Sequence, residues 1–179
     1  ANKHEGMFDL SAFKIIYVAP MKALVQEVVK NFSKRLAPYG VVVRELSGDS
    51  SLSRQQISET QMIVTTPEKW DIVTRQGEGR AYTQLVRLVI VDEIHAIAAS
   101  KRGSHLALSL ERLQGLCAEP LTRIGLSATQ KPIEAVSRFL VGTDRTCDIV
   151  DIGLAREAAD LDAGAGHGFL QGSQSAAGV

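Results

Sequence analysis

Short apolar runs alternate with longer stretches in which apolar positions recur every three or four residues. Residues 13–18 form a β-branched run that predicts a strand, and Ala19-Pro20 stops it. Pro20 suits the first turn of a helix, because its missing N–H would have no partner there. Met21, Leu24, Val25, Val28, Val29, Phe32 and Leu36 then fall on one helical stripe, which Pro38-Tyr39-Gly40 ends. Residues 41–46 predict a second strand, closed by Ser47-Gly48-Asp49, and residues 51–57 a short helix. Residues 62–65 predict a third strand, stopped by Thr66-Pro67, with a helix over 68–73 whose first turn carries Glu68. The strongest buried-strand signal is 88–91, an unbroken branched aliphatic run ending in Asp92-Glu93-Ile94-His95. A leucine-rich helix over 104–116 (Leu106, Leu108, Leu110, Leu113, Leu116), a strand over 123–127, a helix over 132–140 and a strand over 147–151 complete the pattern.

Strands alternating with helices imply an α/β fold, a mostly parallel sheet with helices on both faces. Ligands in such folds bind beyond the carboxyl ends of the strands. The polar clusters of this chain follow strands: Ala19-Pro20-Met21-Lys22, Ser47-Gly48-Asp49, Thr65-Thr66-Pro67-Glu68, Asp92-Glu93 and Ser127-Ala128-Thr129. Those strand ends are expected to share one rim. From about residue 153 the pattern fails: 13 of the last 27 residues are Gly or Ala, so this tail is expected to be disordered or loosely packed.

Composition narrows the classes further. With Lys plus Arg at 20 and Asp plus Glu at 20, the net charge is zero, which excludes binding of nucleic acid by bulk charge. It leaves room for a local edge of backbone N–H groups. Aromatic residues make up 5% of the chain, which weakens any base-stacking platform, and Trp70 reads as core rather than as a stacker. Cys117 and Cys147 stand apart, and His4, His95, His105 and His167 lack zinc-ligand spacing, so neither a disulfide nor a metal framework is expected. No apolar run reaches membrane-spanning length. Lys101-Arg102-Gly103 could touch phosphate but reads more simply as a solvated basic turn.

The sharpest chemical signal is the apolar strand running into Asp92-Glu93, a Walker B pattern. A carboxylate in Asp92's position suits Mg²⁺ held through its water shell, since that hard cation keeps several waters. Glu93 would orient and deprotonate the water that attacks a γ-phosphate.

These residues carry a resemblance. Asp92-Glu93-Ile94-His95 resembles motif II of superfamily 2 helicases of the DExH type, and Ser127-Ala128-Thr129 resembles motif III. Ala19-Pro20-Met21-Lys22-Ala23-Leu24 is similar to motif Ia, Thr66-Pro67-Glu68-Lys69 to the threonine-proline-glutamate motif, and Ser47-Gly48-Asp49 to the loop motif between them. Residues 13–95 look like the spliceosomal and signal-cointegrator helicases of the superkiller-like group, and residues 92–142 like the bacterial large helicase-related group. A junction of two reading frames near residues 90–100 would produce such a mixture.

The resemblance implies a RecA-like motor domain over residues 13–152, behind a leader over 1–12 and ahead of the tail over 153–179. It implies ATP and Mg²⁺ as cofactors, with Asp92, Glu93 and His95 as the catalytic set. Ser127, Ala128 and Thr129 would couple nucleotide state to strand binding. Pro20, Lys22, Ser47, Gly48, Thr66, Pro67 and Glu68 would line the path of DNA or RNA. It implies a second RecA-like domain as the partner of this one. It also implies an intracellular setting, nuclear if spliceosomal-like and cytoplasmic if bacterial.

The family's P-loop, G-x-x-x-x-G-K-[ST], is not among these 179 residues, which contain no Gly-Lys dipeptide. The chain is therefore expected to be a fragment cut between P-loop and motif Ia, inactive in ATP hydrolysis by itself. The sheet is expected to leave exposed the edge where a P-loop strand would pair beside the motif III strand. Two other readings stand beside this one: a non-catalytic nucleic-acid-binding module that keeps the rim, and a nucleotide-binding α/β domain unrelated to helicases.

Overall fold

The computed structural model describes residues 3–4, 7–47, 52–75, 80–128, 133–150 and 168–172. Its frame is a parallel sheet of β3 (Lys14–Val18), β4 (Val43–Leu46), β5 (Met62–Thr65), β6 (Val86–Val91) and β7 (Thr122–Ser127), ordered β4-β5-β3-β6-β7. A small antiparallel pair, β1 (Lys3–His4) and β2 (Met7–Phe8), precedes it. The order places β3 between β5 and β6, so the carboxyl ends that carry the polar clusters lie side by side.

Helix α1 (Lys22–Leu36) buries Val25 and Val28 against one face of the sheet, with Tyr17, Ala19, Val43, Met62 and Val64. The other face is the main core. Helices α3 (Pro67–Arg75), α5 (Ile94–Ala98), α6 (Lys101–Leu116) and α7 (Ile133–Val141) contribute Trp70, Ile94, Ile97, Leu106, Leu110, Leu113 and Leu140 to it. Burial along β6 alternates: Val89 and Val91 are buried in the main core, whereas Leu88 is half-buried and so is Ile90, which packs against the α1-side cluster. The unbroken apolar run is thus fully covered on one side only.

The structure departs from the sequence pattern in a few places. Pro20 precedes the helix instead of opening it, because Met21 takes the extended N-cap conformation and α1 starts at Lys22. Leu108 is exposed, since the buried stripe of α6 runs through Gly103, Leu106, Leu110 and Leu113 and leaves position 108 off the face. Helix α5 and the single turn α4 (Arg80–Thr83) carry no signal in the pattern, being shorter than any periodicity can mark. Within the tail, Gly168–Gly172 forms β9, antiparallel to β7, and β8 (Asp148–Val150) joins the sheet through it. The expected open edge of β7 is therefore covered, and a five-residue extended segment satisfies its backbone groups despite its poor composition. The rest of the tail lies outside the described residues.

Two polar arrangements stabilise the frame. Lys14 is buried, and its ammonium donates to Ser58 O (2.6 Å) and Thr60 O (2.7 Å) where α2 (Arg54–Glu59) ends. A cation there complements the carbonyl end of the helix, while burial pushes the Lys14 pKa down. Between α3 and α6, Asp71 accepts from Ser109 Oγ (2.7 Å) and Arg112 Nη1 (3.1 Å) and pairs with Arg75 (2.6 Å). Burial works against the Asp71 charge, but hydrogen bonds from Ser109, Arg112 and Arg75 outweigh it and hold its carboxyl below the usual range. A depressed native pKa stabilises the fold above the unfolded value and is lost as pH falls through the native value. Asp71→Asn is expected to lower stability by about 1–3 kcal/mol at neutral pH. It should also flatten the loss of stability below about pH 4, where unfolded aspartate titrates. Urea midpoints between pH 7 and pH 3 check both; parallel acid limbs in the two proteins would remove Asp71 from the account.

Candidate functional site

The end of β6 sets the geometry. Asp92 N–H donates to Val18 O (2.8 Å), which fixes the first residue past β6 against the end of β3. Asp92 Oδ1 accepts the Glu93 N–H (2.9 Å), and Asp92 Oδ2 accepts the Tyr17 hydroxyl (2.7 Å). Glu93 adopts φ 45° and ψ 42°, the one non-glycine residue with positive φ among the described residues. That conformation costs about 1–3 kcal/mol and persists only where the surroundings impose it. Here the chain leaves a strand and starts α5 within two residues, and Ala96 N–H closes the turn on Glu93 O (2.8 Å). The turn brings Glu93 and His95 together, with His95 Nδ1 3.3 Å from Glu93 Oε2.

His95 also reaches the next strand. Its Nδ1 lies 3.0 Å from Ser127 Oγ at the end of β7, and that hydroxyl donates to Ala128 O (2.8 Å). The pairing follows from β6 and β7 being parallel neighbours in the sheet. The structure therefore joins Asp92, Glu93, His95, Ser127 and Ala128 in one row across two strand ends. Thr129 lies outside the described residues.

The row has a further member, Tyr17, that no motif points to. It is 5% exposed, packs its ring against Phe32 and offers its hydroxyl to Asp92. Burial first, then the hydrogen bond to Asp92 and the charges of Asp92 and Glu93, raise its pKa, so it stays a proton donor. A signal is present in principle: a tyrosine near the carboxyl end of a buried strand has to find a partner for its hydroxyl.

The second part of the site is the rim beside this row. Pro20 is buried at the exit of β3, and Lys22 is exposed as the first residue of α1. Ser47 is buried just past β4, while Gly48 and Asp49 lie outside the described residues. Thr66 leads into α3, where Pro67 is the first residue and Trp70 N–H closes the first turn on Thr66 O (3.0 Å). Glu68 is held from the side. Arg102, at the start of α6, forks onto its carboxylate through Nε and Nη2, and the same Nη2 donates to Pro20 O (2.5 Å). The basic stretch is exposed at Lys101 and Arg102 as expected, the Arg102 side chain at 44%, and its guanidinium also meets a carboxylate and a carbonyl of two other strand ends. Trp70 is fully buried, in agreement with a core role.

The family profile described as DEAD/DEAH box helicase matches residues 5–136 of the chain. The chain belongs to the DEAD/DEAH box helicase family. It is 54% identical over 142 residues to an activating signal cointegrator 1 complex subunit 3-like protein of Dictyostelium discoideum, covering 78% of this chain and 6% of that protein. It is 50% identical over 138 residues to the human U5 small nuclear ribonucleoprotein 200 kDa helicase, covering 76% of this chain and 6% of that helicase. The helicase Lhr of Mycobacterium smegmatis, solved with ssDNA and AMP-PNP, superposes with a TM-score of 0.67 at 39% identity, covering 75% of this chain and 19% of Lhr. Eukaryotic and bacterial likenesses are thus both present in this DEAD/DEAH box chain. The matched fold is the RecA-like α/β domain, and among the described residues no helix is long and apolar enough to cross a membrane. The chain spans a small fraction of the length of these relatives.

Proposed function

We propose that this chain supplies the hydrolytic carboxylates and the nucleic-acid rim of the first motor domain of an ATP-dependent DNA or RNA helicase. The observation that carries the reading is the hydrogen-bonded row Asp92, Glu93, His95, Ser127 at the carboxyl ends of β6 and β7. The donor set fits Mg²⁺ held through water. Asp92 uses one site on each carboxylate oxygen, for the Tyr17 hydroxyl and the Glu93 N–H, and a carboxylate has about four such sites. Among the described residues no group of three or more His, Cys, Asp or Glu could cage a metal. A cation at Asp92 would be held by one or two carboxylates and the phosphates of its nucleotide, with water at its remaining positions. When bound, Mg²⁺ would neutralise charge on the nucleotide's phosphates.

Tyr17 and the Glu93 N–H fix the plane of the Asp92 carboxylate. Glu93, turned out of the strand by its positive φ, takes the proton of the attacking water. His95 links that carboxylate to Ser127, so a change at Glu93 reaches the end of β7. On the rim, Pro20, Lys22, Ser47, Thr66, Pro67 and Glu68 form the path of a single strand, to which the resemblance adds Gly48, outside the described residues. Backbone N–H groups at the starts of α1 and α3 meet phosphates there, which requires neither net positive charge nor base reading.

The test uses the 179-residue chain with fluorescein-labelled single-stranded RNA and DNA oligonucleotides of two base compositions. Anisotropy is expected to show binding that weakens with salt and differs little with base composition. Lys22→Ala should reduce the salt slope by about one unit. No binding at low salt, or a strong base preference, would overturn the rim. Steady-state ATP turnover of the same chain is expected to be near zero, because positioning of the triphosphate supplies most of phosphoryl-transfer catalysis and these residues include no P-loop sequence. Turnover that needs Mg²⁺ and vanishes in Glu93→Gln would show that these carboxylates act without that cradle. Binding without turnover is also what the non-catalytic module would show, and joining the chain to a P-loop segment separates the two.

A further inference from the structure

A carboxylate is an awkward neighbour for a phosphate backbone, yet Glu68 stands in the first turn of α3 on the proposed path. Arg102 resolves this. Its Nε and Nη2 hold the Glu68 carboxylate, and its Nη2 also donates to Pro20 O at 2.5 Å. The pair is neutral in sum, so Glu68 repels a phosphate little and Arg102 attracts one little. The same contacts gather three neighbouring strand ends. Pro20 follows β3, Glu68 follows β5, and Arg102 follows β6 by way of α5. The start of α6 is itself anchored. Ser100 caps it by accepting the Gly103 N–H (3.3 Å), and Gly103 packs so closely on α5 that a Cβ there would lie 2.5 Å from Ile97 O. The guanidinium therefore projects from a fixed base.

We propose that Arg102 is the positioning residue of the rim, locking the loop after β3 to the first turn of α3 so that the phosphate-facing backbone groups of both keep one spacing. This rests on the reading of the rim as a nucleic-acid path. Arg102 acts here through Glu68 and Pro20 and does not itself hold a phosphate. A charge alone does not suffice, since lysine lacks the planar fork that engages carboxylate and carbonyl together.

The test compares the full 179-residue chain with Arg102→Gln, Arg102→Lys and Glu68→Gln. Backbone amide exchange reads the lock through the hydrogen bonds that close the first turns, Val25 N–H to Met21 O and Trp70 N–H to Thr66 O. Each variant is expected to speed exchange at both amides by about two- to fivefold, the loss of a half-exposed ion pair (Arg102 44% and Glu68 55% exposed) that water screens, with the Val91 amide of β6 unchanged. Unchanged exchange at Val25 and Trp70 overturns the proposal. Oligonucleotide binding is the second readout. The double variant Arg102→Gln/Glu68→Gln, neutral like the parent pair, should weaken it by about fivefold or more while leaving the salt slope as in the parent chain, whereas a slope smaller by about one would make Arg102 a phosphate ligand and overturn the proposal. If the parent chain binds no oligonucleotide, the proposed path fails, and the exchange measurement decides the lock by itself.

Discussion

Trp70→Ala is expected to destabilise the fold by about 3–5 kcal/mol, the range for removing a buried tryptophan from a packed core. Trp70 is 0% exposed and belongs to the main cluster, with Ile63, Leu106 and Leu110. It lies in α3, directly after the turn that carries Thr66, Pro67 and Glu68, so its packing sets where that turn sits. A domain of this size holds on the order of 5–15 kcal/mol in total, so one such loss removes a large share of it. Trp70→Phe should cost clearly less. The indole Nε1 is buried without a partner among the described residues, and replacing it with a ring that has no donor relieves that desolvation while leaving a smaller void. Urea unfolding followed by far-UV circular dichroism measures both variants, since Trp70 is the chain's one tryptophan and its fluorescence disappears with it. An Ala variant of nearly unchanged stability with impaired oligonucleotide binding would make Trp70 a base stacker after all.

Gly103→Ala carries the second large effect, and its sign runs against helix propensity. In an open helix the substitution would gain about 1 kcal/mol. In α6 the added Cβ would lie 2.5 Å from Ile97 O and 2.7 Å from Ala98 O, both backbone atoms of α5 that cannot swing away. Relief requires the start of α6 to lift from the end of α5. Overpacking of this kind costs typically about 1–3 kcal/mol and occasionally more, so after the propensity gain a net loss of up to about 2 kcal/mol is expected. The lift also displaces the neighbouring Arg102 from Glu68 and Pro20. Thermal unfolding checks the stability, and exchange at the Trp70 amide checks the displacement. A stabilised variant would mean that α5 and α6 separate at little cost. Gly115, where an added Cβ would meet nothing within 4 Å, is the control in the same helix and should tolerate Ala.

The sheet was legible because parallel strands buried on both sides or one side read as short aliphatic runs, and each run from 13–18 to 123–127 overlaps an observed strand. The placement of the strand ends on one rim followed from the alternation with helices. Much less legible was what joins them. The Tyr17–Asp92 and Arg102–Glu68 hydrogen bonds link residues 75 and 34 positions apart, and no local spacing encodes such a contact. The same holds for His95 and Ser127, 32 positions apart: the resemblance gave both a role in the site but no contact between them, and periodicity gave no hint. The left-handed backbone at Glu93 was also hidden, because a carboxylate side chain gives no sign of positive φ in the way a glycine does. Strand β9 was missed because its glycines depress every strand signal, and its pairing is supplied by the edge it meets.

That edge also bears on larger assemblies. The β7 groups that pair with β9 run from Arg123 to Ser127, nearly the full length of the strand. A backbone edge holds one neighbour at a time. A further strand, whether it comes from the same polypeptide or another, can dock on that edge of β7 only by evicting residues 168–172. The two occupants would also run in opposite directions, if the newcomer is parallel like the rest of the frame. Growth of the sheet at that edge and pairing with residues 168–172 are therefore alternatives in strict competition, and this segment shields a hydrogen-bonding template until a better-matched strand takes it.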